Sequence, residues 1–133
     1  MSDEPVWIER EALLLAHAQS LRLFGGAEGL RDEGALESAL MRPVNAWSYR
    51  GETDPAALAA AYPFGLAKNH PFIDGNKRAA FLACVGFLKL NGFDLRAPQP
   101  EAYRTMMELA ASTMTEEAYA AWLAGHLQPR AGR

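Results

Sequence analysis

Apolar residues recur along most of this chain at the three-to-four spacing of helices that bury one face, and strand-like alternation is almost absent. Leu13, Leu14 and Leu21 mark a first helical stretch, Trp7 to Phe24, which stops at Gly25-Gly26, a natural C-terminal cap. Pro5 suits a first helical turn, with Asp3 or Glu4 beside the positive end of the helix. A second helix is expected from near Asp32 to just before Pro43, because the residue ahead of a proline is pushed out of the α conformation. Asn45 to Asp54 mixes polar groups with Gly51, sustains no period and reads as an irregular connection.

Pro55 opens a third helix that runs to about Asn69, rich in alanine and therefore slim. A fourth spans about Asn76 to Asn91 and ends at Asn91-Gly92. Ala79, Ala80, Phe81, Leu82, Val85, Phe87 and Leu88 make it apolar nearly all round, so it is expected to be the central buried helix. Two more lie near Gln99 to Ala111 and Thr115 to Leu127, and Thr113 with Glu116 has capping-box spacing for the last. Only Phe93-Asp-Leu95 and part of Trp47 to Arg50 look strand-like, and the tail 128–133 reads as flexible. The pattern predicts one all-α domain over residues 1–133, a bundle around a buried helix.

Composition narrows the class. A chain of 133 residues that is 50% hydrophobic and 22% charged supports a single core without staples. One cysteine, Cys84, excludes a disulfide framework and suits a reducing compartment. There is no apolar run of about 20 residues to span a bilayer, and the acidic start Met1-Ser-Asp-Glu-Pro5 does not resemble a signal peptide. A cytoplasmic protein without membrane contact is the expectation. The net charge of −3 argues against a protein that grips nucleic acid directly.

The chemistry concentrates in His70-Pro-Phe-Ile-Asp-Gly-Asn-Lys-Arg78. The chain leaves one helix at Asn69 and enters the next near Asn76, so the second half of this loop is a helix N-terminus. Backbone N–H groups there lack intrahelical partners and the dipole adds partial positive charge. Gly75 removes the side chain that would hold a ligand away from those amides. Asn76 can cap the helix or donate to a ligand. Lys77 and Arg78 put two cations into a first turn where they are unfavourable unless an anion binds, and phosphate is the simplest compensation. Asp74 supplies the single carboxylate that a Mg²⁺ ion shared with phosphates takes from protein. The His70 imidazole can deprotonate an attacking hydroxyl. Phe72 should point inward and anchor the loop. Taken singly, these residues are explicable as a surface histidine, a solvated turn and a helix cap; together in nine residues they favour a catalytic loop.

Other features read as structural. Gly25 to Arg31 lacks the Gly-Lys-Ser/Thr ending of a phosphate loop and is taken as a turn between helices. His17 and His126 lie in helices without ligand partners nearby, Cys84 reads as a small core residue, and Lys68 as a solvated lysine. Met106 and Met107 read as core packing.

The run His70-x-Phe72-x-Asp74-Gly75-Asn76-Lys77-Arg78 closely resembles the signature of the Fic/Doc superfamily, in its death-on-curing (Doc) toxin branch of type II toxin–antitoxin systems. Phe24 to Leu40, Ala67 to His70, Phe87 to Gly92 and Trp122-Leu123 extend the likeness from roughly Trp7 to Leu127. The resemblance implies a Fic-type helical bundle with the signature loop before the central helix. It implies Mg²⁺, ATP as nucleoside triphosphate and a protein hydroxyl as acceptor. By position, His70 would be the general base, Asp74 the metal ligand, Gly75 and Asn76 the anion-hole elements and Arg78 a phosphate contact. It further suggests that Arg42 to Asp54 forms a short β-flap that orders the target by strand addition, with Trp47 and Tyr49 as anchors; an ordinary surface loop is the alternative.

Two departures from the adenylyl-transferring pattern bear on the reaction. Lys77 stands in place of a second glycine, and Phe81 in place of a second arginine. In the Doc branch such changes accompany a reversed nucleotide, so the resemblance implies phosphorylation, with elongation factor Tu as substrate and translation blocked. AMP or nucleotidyl transfer, or a catalytically silent binding module, are the alternatives. Neither end carries a convincing copy of the family's self-inhibitory Ser/Thr-x-x-x-Glu helix, so a Phd-like antitoxin acting in trans is implied.

Overall fold

The alanine-rich segment becomes the hub of the molecule. The computed structural model describes residues 3–130. In order they form α1 (Arg10–Phe24), α2 (Glu33–Arg50), α3 (Pro55–Asn69), α4 (Asn76–Leu90), β1 (Phe93–Leu95), α5 (Gln99–Ala110), α6 (Glu116–Ala124) and β2 (Leu127–Pro129). Asp54 caps α3 by accepting from the Ala56 N–H, and Pro55 occupies the first turn, where a missing N–H costs nothing. Small side chains then let α3 pack against α2, α4, α5 and α6 at once. Gly65 lies so close to α2 that a Cβ there would stand 3.1 Å from the Ala39 Cα. The all-α expectation holds, but the central buried helix is α3. The apolar surface of α4 exceeds what its neighbours cover, and Leu82 and Leu90 stay exposed.

Other boundaries move for equally physical reasons. The second helix does not stop at Pro43 but continues through it to Arg50. An internal proline costs about 3 kcal/mol. Here its ring is buried, Leu36, Ala39, Leu40 and Ala46 pack on the same helix, and Asp32 and left-handed Gly51 cap its two ends. At the N-terminus, residues 3–9 are not helical. The Val6 backbone exchanges two 2.9 Å hydrogen bonds with the Asn91 side chain, and Trp7 stacks on Phe87 and meets Trp47 edge-on. Packing Trp7 and Ile8 against the core outweighs one more helical turn.

Residues 127–130 are paired despite their polarity. Leu127–Pro129 pairs antiparallel with β1, Phe93 opposite Pro129 and Leu95 opposite Leu127. The Arg130 N–H extends the ladder to the Gly92 carbonyl. Ala131 to Arg133, the rest of the expected tail, lie outside the described residues. Thr115, not Thr113, caps α6, accepting from the Ala118 N–H at 3.0 Å; the Thr113 hydroxyl instead donates to the Glu108 carbonyl. Among the described residues no helix is long and apolar enough to cross a membrane.

Candidate active site

The loop His70–Gly75 is held from three directions. The α3 helix ends at His70, whose backbone takes the left-handed conformation (φ 49°) and donates its N–H to the Leu66 carbonyl. A non-glycine residue there carries about 1–3 kcal/mol of strain and needs surroundings that enforce it. Arg31 provides them. Its Nε donates to the His70 carbonyl at 2.8 Å and its Nη2 to the carbonyls of both His70 and Asn69. The segment Gly29–Asp32 also lies along the loop, with Arg31 and Asp32 N–H groups donating to the Pro71 carbonyl and the Ile73 N–H to the Gly29 carbonyl.

Phe72 is 2% exposed, buried beneath the loop. Its ring stacks on His17 at 3.7 Å between centroids. The buried Asn76 side chain closes a ring on Phe72, accepting from its N–H and donating to its carbonyl, both at 2.9 Å. This corrects the expectation that the Asn76 amide caps α4 or meets a ligand; both ends of it are used within the protein.

The first turn of α4 begins at left-handed Gly75 with no side-chain cap. Its first N–H groups therefore have no helical partner. Lys77 is exposed in that turn. Arg78 behaves differently from the expectation: its guanidinium donates to the Ser20 carbonyl at 3.3 Å and the Gly25 carbonyl at 3.0 Å. Those oxygens end α1, where the negative pole of its dipole welcomes a cation. Part of what compensates Arg78 is thus the end of a neighbouring helix, not an anion alone.

Asp74 sits on the outer side of the loop. Its carboxylate accepts from the Gly75 N–H at 2.8 Å and the Ala27 N–H at 3.2 Å. These two bonds, with the charge of Arg78, hold it below the usual carboxylate range, so it is ionised at neutral pH. His70 is exposed, one loop length away. Among the described residues no cluster of three His, Cys, Asp or Glu could cage a metal. A lone ionised carboxylate beside free helix amides and a lysine fits Mg²⁺ held chiefly by phosphate oxygens.

Three contributors escaped the sequence reading. His17, taken as structural or solvated, is buried against the loop, and its Nε2 lies 2.7 Å from the Asp74 carbonyl. Arg31 holds the carbonyls at the start of the loop. Gly26 must lack a side chain, since a Cβ would come within 3.0 Å of the Asp74 carboxylate. Gly26 and Arg31 fall in the family-like stretch Phe24 to Leu40, which named no roles, and His17 lies outside it.

The flap expectation fails on geometry. Residues 42–50 are helix, so no strand forms there. Trp47 is half-buried against Trp7, while Tyr49 is 84% exposed. The Asn69 side chain bonds the Ala35 carbonyl, so the His70 end of α3 lies at the start of α2. Twelve helical residues separate Ala35 from Trp47, about 18 Å of rise. Lys68, read as a solvated lysine, is bound to the Ser112 hydroxyl and lies over the Phe64 ring.

The sequence matches the model of the Fic/DOC family over residues 7–88. It is 37% identical over 123 residues to a protein named Toxin Doc from Mycolicibacterium smegmatis (strain ATCC 700084 / mc(2)155), covering 90% of this chain and 92% of that one. It is 33% identical over 85 residues to Protein kinase doc of Escherichia phage P1, covering 64% of this chain and 68% of that one. With the signature loop set between two packed helices and the match running through both, the chain belongs to the Fic/DOC family.

Proposed function

We propose that this protein is a Doc-type toxin that transfers the γ-phosphoryl group of ATP to a hydroxyl of a protein acceptor. The observation that carries the reading is the loop itself: an exposed His70 ring, an ionised Asp74, and an uncapped helix N-terminus with Lys77 in its first turn. His70 takes the proton of the acceptor hydroxyl as its oxygen bonds to the γ-phosphorus. The bond from that phosphorus to the bridging oxygen breaks, and ADP leaves. The N–H groups of Asn76 and Lys77, that of Gly75 shared with the Asp74 carboxylate, the Lys77 ammonium and the remaining donors of Arg78 would face the phosphate oxygens. Bound Mg²⁺ would spread the developing charge, with Asp74 as its protein ligand.

Lys77 and Phe81 favour phosphoryl over adenylyl transfer. Lys77 narrows the anion hole where a second glycine would leave room. One turn further on, Phe81 packs against the core and leaves no second arginine on that face. The relative named Protein kinase doc supports the same reaction. Elongation factor Tu is the acceptor we favour, and a Phd-like antitoxin the inhibitor. Phe24, under the Arg78 guanidinium, and Ile73 are exposed at the loop and offer an apolar rim for an antitoxin segment to cover.

The test is the intact mass of elongation factor Tu after incubation with this protein, Mg²⁺ and ATP. A gain of one phosphoryl group is expected, lost by at least a thousandfold in rate with His70→Ala while ATP binding persists. A gain of an adenylyl group would replace kinase by nucleotidyl transferase. An active His70→Ala would remove the general base from the mechanism.

A further inference from the structure

The loop contains one peptide with two permitted orientations. Gly75 follows Asp74 with φ +75°, and glycine tolerates the opposite sign about as well. Rotating the Asp74–Gly75 peptide by about 180° would therefore meet little intrinsic resistance. The two orientations are not equivalent. In a trans peptide the C=O and N–H point opposite ways. As observed, the Asp74 carbonyl points inward to His17 and the Gly75 N–H outward to the Asp74 carboxylate. Flipped, an oxygen would face the side where the phosphates are proposed, and the carboxylate would lose its nearest donor.

We propose that His17 is a positioning residue that locks this peptide in the anion-binding orientation. Its ring is 4% exposed, so it is held rigidly. It stacks nearly parallel on Phe72, at 3.7 Å and 15°. Its Nε2 reaches the Asp74 carbonyl at 2.7 Å, which requires the Nε2–H tautomer because a carbonyl only accepts. A Cβ on Gly75 would lie 3.3 Å from the same nitrogen, so the peptide and the ring are in direct contact. One side chain of α1 thus fixes both the buried anchor of the loop and the direction of the Gly75 amide, from 57 residues away in sequence. The role of that amide toward nucleotide rests on the function proposed above; the lock on the peptide does not.

Two variants separate packing from the lock. His17→Phe keeps the stack on Phe72 and removes the donor, whereas His17→Gln restores a donor near Nε2. The Gly75 amide resonance in ¹⁵N-labelled protein reads the peptide directly, and calorimetry with Mg²⁺ and the non-hydrolysable analogue AMP-PNP reads the site. With His17→Phe the Gly75 amide should lose the downfield shift of a carboxylate-bound N–H and AMP-PNP affinity should fall about tenfold. His17→Gln should recover most of both. A purely structural histidine would show matching losses in both variants and would overturn the proposal, as would an unchanged Gly75 amide in folded His17→Phe. If His17→Phe does not fold, the tautomer in the unaltered protein still decides: a proton on Nδ1 alone overturns the lock. The amide and tautomer are read without metal or acceptor, so failure of phosphoryl transfer would count against the kinase reading and not against this one.

Discussion

Asn76 illustrates how one side chain sets the shape of the site. A primary amide carries two N–H donors and a carbonyl acceptor on one rigid plane, and Asn76 uses one donor and the acceptor on the Phe72 backbone. Asn76→Ala leaves a buried N–H and a buried carbonyl without partners and should destabilise the fold by about 3 kcal/mol, read as a shift in denaturation midpoint. A change under about 0.5 kcal/mol would mean the loop finds other partners. Cys84 shows the opposite use of burial. With no water nearby to stabilise a thiolate, its thiol is pushed up to about 12. Native protein at pH 8 should therefore leave Cys84 unmodified by a disulfide reagent, with full reaction only in denaturant; rapid native labelling would contradict the burial.

Helix contacts rather than helix propensities set the architecture. The α2–α3 interface depends on Gly65 resting against Ala39. Gly65→Ala improves helix propensity by up to about 1 kcal/mol. It also drives a methyl group into backbone 3.1 Å away, where neither helix can yield easily. Overpacking should win, with a net loss of about 1–2 kcal/mol and a lower melting temperature. A more stable variant would show that the interface has slack. The same contacts explain why α2 runs through Pro43, since a helix secured along one face and capped at both ends tolerates a local defect that would stop it in isolation.

Acid should loosen the assembled molecule in a defined window. Hydrogen bonding and charge from Arg10 hold Glu33 below the usual carboxylate range, and this pair joins α1 to α2. Asp74 is lowered as well. Near pH 4 the unfolded chain thus binds more protons than the folded one, and stability falls as pH falls. The contribution is complete above the unfolded values and disappears as pH drops through the folded ones. Solvent screening keeps it small. Glu33→Gln should flatten the melting-temperature curve below about pH 4, and an unchanged slope would show that the pair does not titrate with folding.

What is encoded locally could be read without coordinates. Periodicity places α3 and α4 nearly to the residue, and His70, Phe72, Asp74, Gly75 and Lys77 lie close enough in sequence for their spacing to announce a loop feeding a helix N-terminus. Partnerships between distant segments could not be read that way. Whether Arg78 faces a phosphate or the end of α1 depends on Ser20 and Gly25, more than 50 residues earlier. Whether His17 is a solvated residue or the support of the loop depends on where α1 lies. The hub is α3 instead of α4, whose apolar side chains are bulkier, because slimness on all sides governs how many neighbours a helix can take. The flap failed for the same reason: Trp47 and Tyr49 ride on a helix whose packing carries it straight through Pro43. Local chemistry settles what a segment can do, while long-range packing settles which of its donors, faces and ends remain free to do it.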